Sequence, residues 1–316
     1  MAVILRRFVR LVLTLLIVSL ATFLLTNLLP GDPASALLGM YATPDGIAAL
    51  RERLHLDDPL WVRYGQWLLA VFHGDLGTSY LNGRVVATSL FERLPLSVGV
   101  MIYAQLIALA VALPMGILSG YRQGRASDRV LSGGMFASMA LPSFVLAVVL
   151  VYVFALKLRW FPATGYVPLL RNPLRCVQSL TLPAVTLAIG QIGIYARVLR
   201  SDIISTLQED FILTARAKGL TDRAILFRHA LKPSSLSLLT VAGLNVSQMI
   251  GGALIVETIF ALPGIGSLLV GAINGRDYAV IQGGVLLLAA GFVLVNFAVD
   301  LGYALLDPRI RKVRHG

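Results

Sequence analysis

The chain has 316 residues, of which 57% are hydrophobic and only 14% charged. A soluble domain carries about a quarter charged residues, so this deficit, with a mean hydropathy of +0.80, excludes an ordinary soluble protein and points to a polytopic membrane protein. The net charge of +11 would suggest nucleic acid in a soluble chain; in a membrane protein Lys and Arg gather on loops that resist translocation, and no nucleic-acid partner is expected.

A spanning helix needs about 20 mostly apolar residues, and six charge-free windows qualify: Leu11–Leu29, Leu94–Tyr121, Val130–Leu156, Cys176–Ala196, Pro233–Val256 and Tyr278–Val299. The first follows Arg6, Arg7 and Arg10 in the manner of a signal peptide. Its apolar run is too long for one, and "NLLPGDP" stands where small residues would mark cleavage, so it reads as a retained span. The segment from about 30 to 93 is too long for a simple connection and predicts two short helices. Thr43-Pro44-Asp45 starts one, with Thr as cap and Pro at the first helical position. Asp58-Pro59 starts the other, which runs to about His73 before Gly74 stops it. The second carries Trp61, Trp67, Leu68, Val71 and Phe72, a set suited to the headgroup level of a membrane or to a packed external cap. Spans two and three are interrupted by Pro114 and Pro142.

With the N-terminus inside, the inner segments hold 17 of the 27 basic residues, which places both termini in the cytoplasm. Lys157, Arg159, Arg171 and Arg175 run against that bias on the outer side.

Catalytic signatures are missing. No Gly-Lys dipeptide occurs, so no phosphate-binding P-loop is present. No HExxH is found, and His55, His73, His229 and His315 show no metal-ligand spacing. No GxSxG elbow marks a serine nucleophile, and the single Cys176 excludes a CxxC site. No catalytic residue, metal site or bound cofactor is expected in this chain. Polar groups at membrane depth are the remaining candidates. Asp300, near the end of span six, reads best as a structural ion pair with a neighbouring Arg. Glu257 faces a translocation path or reaches the interface. Gln105, Gln191, Asn245, Ser247 and Gln248 either line a pore or bond helices together.

The most unusual stretch is "EDFILTARAKGLTDRAILFRHALKPSS", residues 209 to 235, which holds five Lys or Arg between two apolar runs. Phe211, Ile212 and Ala215 share one helical face. Gly219 permits a left-handed turn, Thr221 caps a second short helix with Ile225, Leu226 and Phe227 as its apolar set, and Pro233 is expected to end that helix. The result is a two-helix knob with a basic rim. On physics alone it is either a handle for a partner protein or a segment lying on anionic lipid.

"TARAKGL" (214–220) resembles the cytoplasmic EAA loop of bacterial ABC importer permeases. Ala215 and Gly219 match the loop, and Pro233 stands near its apolar-Pro ending, whereas Leu213 and Thr214 replace its Glu and first Ala. "LLPGDP" (28–33), "HGDLGTSY" (73–80), "LPSFVLA" (141–147), "GGALIVETIFALPGIGSLL" (251–269) and "DLGYALLDPRIR" (300–311) resemble, in the same order, the dipeptide/oligopeptide/nickel permease family, as its B-type subunit. The resemblance implies an all-α membrane protein of six transmembrane helices with type I ABC importer permease architecture. It divides the chain into 1–93, a first span plus external segment; 94–306, a five-helix permease domain with a coupling loop at 200–235; and 307–316, a tail. It implies a second permease subunit, two cytoplasmic ATPase subunits holding ATP and Mg2+, an external solute-binding protein and membrane lipid as partners. Asp210, Phe211, Ala215, Arg216, Lys218, Gly219, Leu220 and Arg223 would couple to the ATPase. Gln105, Gln191, Asn245, Gln248 and Glu257 would line the path.

Two other classes compete. A secondary transporter or channel wants matched broken helices in two halves, and the second half shows no such pattern. A membrane-embedded enzyme lacks its catalytic constellation.

Overall fold

A computed structural model describes residues 2–28, 33–38, 43–53 and 55–306. The described residues are mainly helical, with one isolated β-bridge between Thr78 and Val85. Among the described residues, five helices are long and apolar enough to cross a bilayer, and a bent pair makes up to six. The chain divides into two compact units: Met1–Ser97 with Pro263–Leu294, and Val98–Leu262 with Val295–Gly316.

In the first unit α1 (Ala2–Leu28) is followed by α2 (Pro33–Leu38), α3 (Pro44–Arg53) and α4 (Leu60–Phe72). Thr43 Oγ1 accepts from the Gly46 amide at 3.2 Å, so the predicted cap of α3 forms. Helix α4 ends at His73, and Gly74 turns the chain at φ +81°. Its Tyr64 and Trp67 rings pack on Phe23 of α1, at centroid distances of 5.4 and 6.3 Å. The Tyr64 hydroxyl hydrogen-bonds Ser19 at 2.9 Å.

The same unit holds α12 (Ile265–Gly275) and the start of α13 (Tyr278–Leu306). Asp277, buried between them, accepts from the Ser79 hydroxyl and, at 3.1 Å, from the Tyr80 amide. The "HGDLGTSY" stretch is thereby tied to the start of α13. Burial pushes the Tyr80 phenol up, Arg63 draws it down, and the Asp277 charge pushes it further up. Gln282 Nε2 donates to Thr26 Oγ1 at 2.9 Å, joining α13 to α1.

The second unit is built around α8 (Pro173–Thr206), with the part of α5 (Val86–Tyr121) from Val98 onward, α6 (Ala126–Ala140), α7 (Ser143–Leu150) and α11 (Leu231–Ile259) packed on it. Asn172 caps α8 by accepting from the Arg175 amide at 3.1 Å, and Pro173 takes the first helical position. Its Tyr195, Leu199 and Ile203 are fully buried. Small residues allow the close crossings that packing within a bilayer requires. A Cβ at Gly193 would sit 2.5 Å from the Met135 carbonyl of α6, and one at Gly116 would sit 2.8 Å from the Ala196 carbonyl.

Pro142 interrupts the Val130–Leu156 window, as the sequence predicts, whereas the expectations for Pro114 and Pro233 are corrected. Helix α6 and α7, the latter continued by a π-helical turn at Val151–Lys157, meet at 103°. Pro142 carries no amide hydrogen to continue the helix and sits extended at ψ 140°. Pro114, by contrast, lies within α5 without ending it. Pro233 does not end the knob's second helix either. It lies in the first turn of α11, directly after a π-helical stretch, Ile225–Ala230. An α-helical proline ring collides with the carbonyl four residues back, and the wider π turn relieves that crowding.

Candidate functional site

The 209–230 insert forms a knob whose structure follows from its sequence. Helix α9 (Asp210–Ala217) and the short α10 (Asp222–Ala224), which runs on into the π stretch, meet at Gly219, φ +78°. The Gly219 amide donates to the Arg216 carbonyl at 2.9 Å, and the Leu220 amide reaches Ala215 at 3.3 Å. Thr221 caps the second arm by accepting from Ala224 at 3.4 Å. Ile212, Ala215 and Ile225 close a small core, with Leu207 and Leu220 packed beside it.

This core sorts the candidate coupling residues. Ala215 and Leu220 face inward and shape the knob, and Gly219 makes its turn. Asp210, Phe211, Arg216, Lys218 and Arg223 are exposed. Phe227, read from sequence as part of the apolar set, is exposed beside them at 57%, as is Phe211 at 47%. The shared faces read from sequence are therefore split, with Ile212, Ala215, Ile225 and Leu226 inward and the two phenylalanines outward.

The base of the knob is pinned twice. Thr206, at the end of α8, hydrogen-bonds Ser234 of α11 at 3.2 Å, and Tyr121 of α5 donates to Asp222 at 3.1 Å. Nearly two turns back along α8, Arg200 holds the buried Asp128 of α6 through two hydrogen bonds of 2.7 and 2.9 Å. Asp128 also accepts from Ser119 at 2.5 Å, Ser132 at 3.2 Å and the Gly124 amide at 2.9 Å. A buried carboxylate with five donors is fully compensated. Sequence reading missed this clamp, because Asp128 and Arg200 lie far apart in the chain and each alone reads as a loop charge.

The helices that bear the knob also bear a cavity of about 220 Å³ between α7, α8 and α11. Ser143, Thr186, Gln191 and Gln248 give it polar groups among Leu146, Met249 and Gly252. Gln191 Oε1 is buried, and no described residue donates to it. The structure thus brings Gln191 and Gln248 together and leaves the other candidates elsewhere. Gln105 accepts from the fully buried Tyr195 at 3.0 Å and reaches the Ala242 carbonyl at 3.5 Å, binding α5, α8 and α11 to each other. Asn245 is buried on α11, and Ser247 donates to Asn296 of α13 at 3.2 Å. Glu257 is fully buried, near the end of α11 and outside the cavity lining. The Asp300 side chain and the Arg309–Arg314 tail lie outside the described residues, as does most of "LLPGDP".

A bundle of apolar spans, bent at one proline and bearing a cation-rimmed helical projection on two of its helices, defines a multi-pass membrane protein of the transporter class. Residues 112–312 match the family model described as the binding-protein-dependent transport system inner membrane component, and residues 1–101 match the model of that component's N-terminal region. The chain belongs to this family and is a permease subunit of an ABC importer. It is 42% identical over 310 residues to a putative peptide transport system permease protein of Brucella abortus, covering 98% of this chain and 99% of the relative. It is 35% identical to a dipeptide transport system permease protein of Alkalihalophilus pseudofirmus (97% and 98% covered) and 35% identical to a glutathione transport system permease protein of Salmonella choleraesuis (98% of each).

Proposed function

We propose that this chain forms half of the path by which an ABC importer takes up peptides or a related small solute delivered by an external binding protein, and that the 209–230 knob seats in a cytoplasmic ATPase subunit. A second permease subunit completes the path, the two ATPase subunits hold ATP and Mg2+, and both termini lie in the cytoplasm. The relatives' names, which include peptide, dipeptide and glutathione transport, support the solute class. The basic bias of the knob side supports the orientation.

One observation carries the mechanism. The knob's second arm runs directly into α11 and its first joins α8 through the short turn 207–209, and the same two helices line the cavity. Helices are stiff along their axes, and the Thr206–Ser234 bond and the Asp128–Arg200 clamp tie the knob's base to the bundle. A displacement of the knob by an ATPase closing on nucleotide is relayed to the cavity as rigid-body motion, which biases a two-state equilibrium between inward- and outward-facing arrangements. The exposed Phe211 and Phe227 supply apolar anchors for a groove, and Arg216, Lys218 and Arg223 supply charge for register. Gln191 Oε1 offers an acceptor to an N–H of a passing solute. With neutral side chains as its polar groups, the cavity holds a peptide weakly enough to release it.

The test is Gly219→Pro, in which a ring fixed near φ −65° replaces a residue at +78° and the hydrogen bond to Arg216 is lost. The complex is expected to retain its spans and its assembly while ATP hydrolysis no longer drives uptake. Uptake at the unaltered rate in an assembled complex would refute the coupling role.

A further inference from the structure

Helix α4 belongs to the long α1–α5 connection, which reads from sequence as lying outside the membrane or at its headgroups. Its contacts place it deeper. Between Arg10 and Leu28, α1 offers an uncharged run of about 27 Å at 1.5 Å per residue, nearly the whole hydrocarbon thickness of about 30 Å. Helix α1 therefore has little freedom to slide along the bilayer normal, and its residues serve as a depth scale. Phe23 lies about 7 Å along the axis from Leu28, and Ser19 about 13 Å. Tyr64 and Trp67 of α4 stack on Phe23, and the Tyr64 hydroxyl bonds Ser19. The depth is cross-checked by Gln282, one turn into α13, which bonds Thr26 near the same end of α1.

The outward side of α4 suits that depth. Its exposed residues are Leu60, Trp61, Val62, Gln66, Leu69 and Phe72, of which only Gln66 is polar. Trp61 is 77%, Leu69 63% and Phe72 75% exposed. Near its Leu28 end α1 exposes apolar residues as well, with Leu25 65% exposed. The neighbouring α3 is different: it carries Asp45, Arg51, Glu52 and Arg53 in a single short helix and buries none of its residues. The one cation on α4, Arg63, lies over the Phe23 ring at 6.0 Å and directs Nη1 to the Leu56 carbonyl in the turn before the helix. That is the behaviour of an arginine that keeps its head at a polar edge while its stem lies in oil.

We infer that α4 is sunk into the hydrocarbon of the leaflet at the Leu28 end of α1, where its Trp61, Leu69 and Phe72 face is covered by lipid acyl chains. The inference rests on α1 crossing the bilayer and is independent of the coupling role proposed for the knob. Its consequence is that membrane thickness and acyl-chain order act on the connection between the first two spans.

The test replaces Cys176 by Ser, leaving no native thiol in this chain, and introduces one cysteine at a time as Leu69→Cys, Ile17→Cys or Leu170→Cys. Each is spin-labelled in the full chain and placed in phospholipid nanodiscs, with and without its assembled partners. Ile17, 65% exposed midway along α1, calibrates acyl depth; Leu170, fully exposed between spans, calibrates water. The label at position 69 should be relaxed by dissolved oxygen and shielded from an aqueous nickel chelate, with an oxygen-to-nickel ratio near that of position 17 and several-fold above that of position 170. A ratio equal to that at position 170 overturns the inference, because α4 then lies in water. Protection from both reagents in the assembled complex also overturns it, because protein then covers the face. Loss of ATP-driven uptake in a knob variant with the position 69 ratio unchanged separates this inference from the coupling reading.

Discussion

Residues 209–230 and residues 43–74 are both helical inserts between spans, and each uses a left-handed glycine: Gly219 at φ +78° joins the knob's two arms, and Gly74 at +81° ends α4. Each also exposes aromatic rings: Phe211 and Phe227 in the first, Trp61 and Phe72 in the second. The difference lies in what each does with the rest of its apolar side chains. The knob folds them onto itself as Ile212, Ala215 and Ile225 and surrounds them with Arg216, Lys218, Arg223 and Arg228. Helix α4 instead commits Tyr64 and Trp67 to α1 and presents a nearly uncharged remainder. Exposed aromatics alone therefore do not say which surface a helix meets. The charge around them, and the depth of the element they are fastened to, decide between a protein groove and lipid.

That comparison can be broken at graded points. Ile225→Ala empties a site only 1% exposed and should cost about 2–5 kcal/mol of knob stability. Hydrogen exchange would then rise across 210–230 while α8 and α11 stay protected, and loss of protection throughout the bundle would show that the knob has no core of its own. Gly219→Ala should cost about 1–2 kcal/mol for a left-handed Cβ. Because nothing lies within 4 Å of that Cβ, the loss should be pure backbone strain, with Gly219→Asn milder in the same thermal-shift assay. Thr221→Ala removes a cap and should cost about 1 kcal/mol, read as faster exchange at the Ala224 amide alone. The smallest effect belongs to the other insert. Ser19→Ala deletes one hydrogen bond at membrane depth, worth about 0.6 kcal/mol, and should shift the position 69 nitroxide slightly toward the aqueous reagent without changing the bundle's melting temperature.

Much of the knob was legible from residues because its determinants are local. Gly219 must supply a positive φ, Thr221 stands directly before its helix, and Ile212 and Ala215 recur at helical spacing. Pro233 was misread for a reason of the same kind: a proline predicts a stop only if the preceding turn is α-helical, and here that turn is π. The cavity was half legible. Gln191 and Gln248 are separated by more than fifty positions, and nothing in either segment distinguishes them from Gln105, whose amide is spent on Tyr195 and Ala242.

Composition and periodicity by themselves determined that this is a multi-span helical membrane protein with a basic two-helix insert, because burial in lipid forces long uncharged runs and because caps and turns act over a few residues. The bend of 103° between α6 and α7, the pairing of Asp128 with Arg200, the choice of which glutamines face a cavity, and the depth of α4 were decided only by tertiary structure. Each depends on which distant side chain is brought within reach of another, and a polar group in a low-dielectric interior takes whichever partner packing supplies.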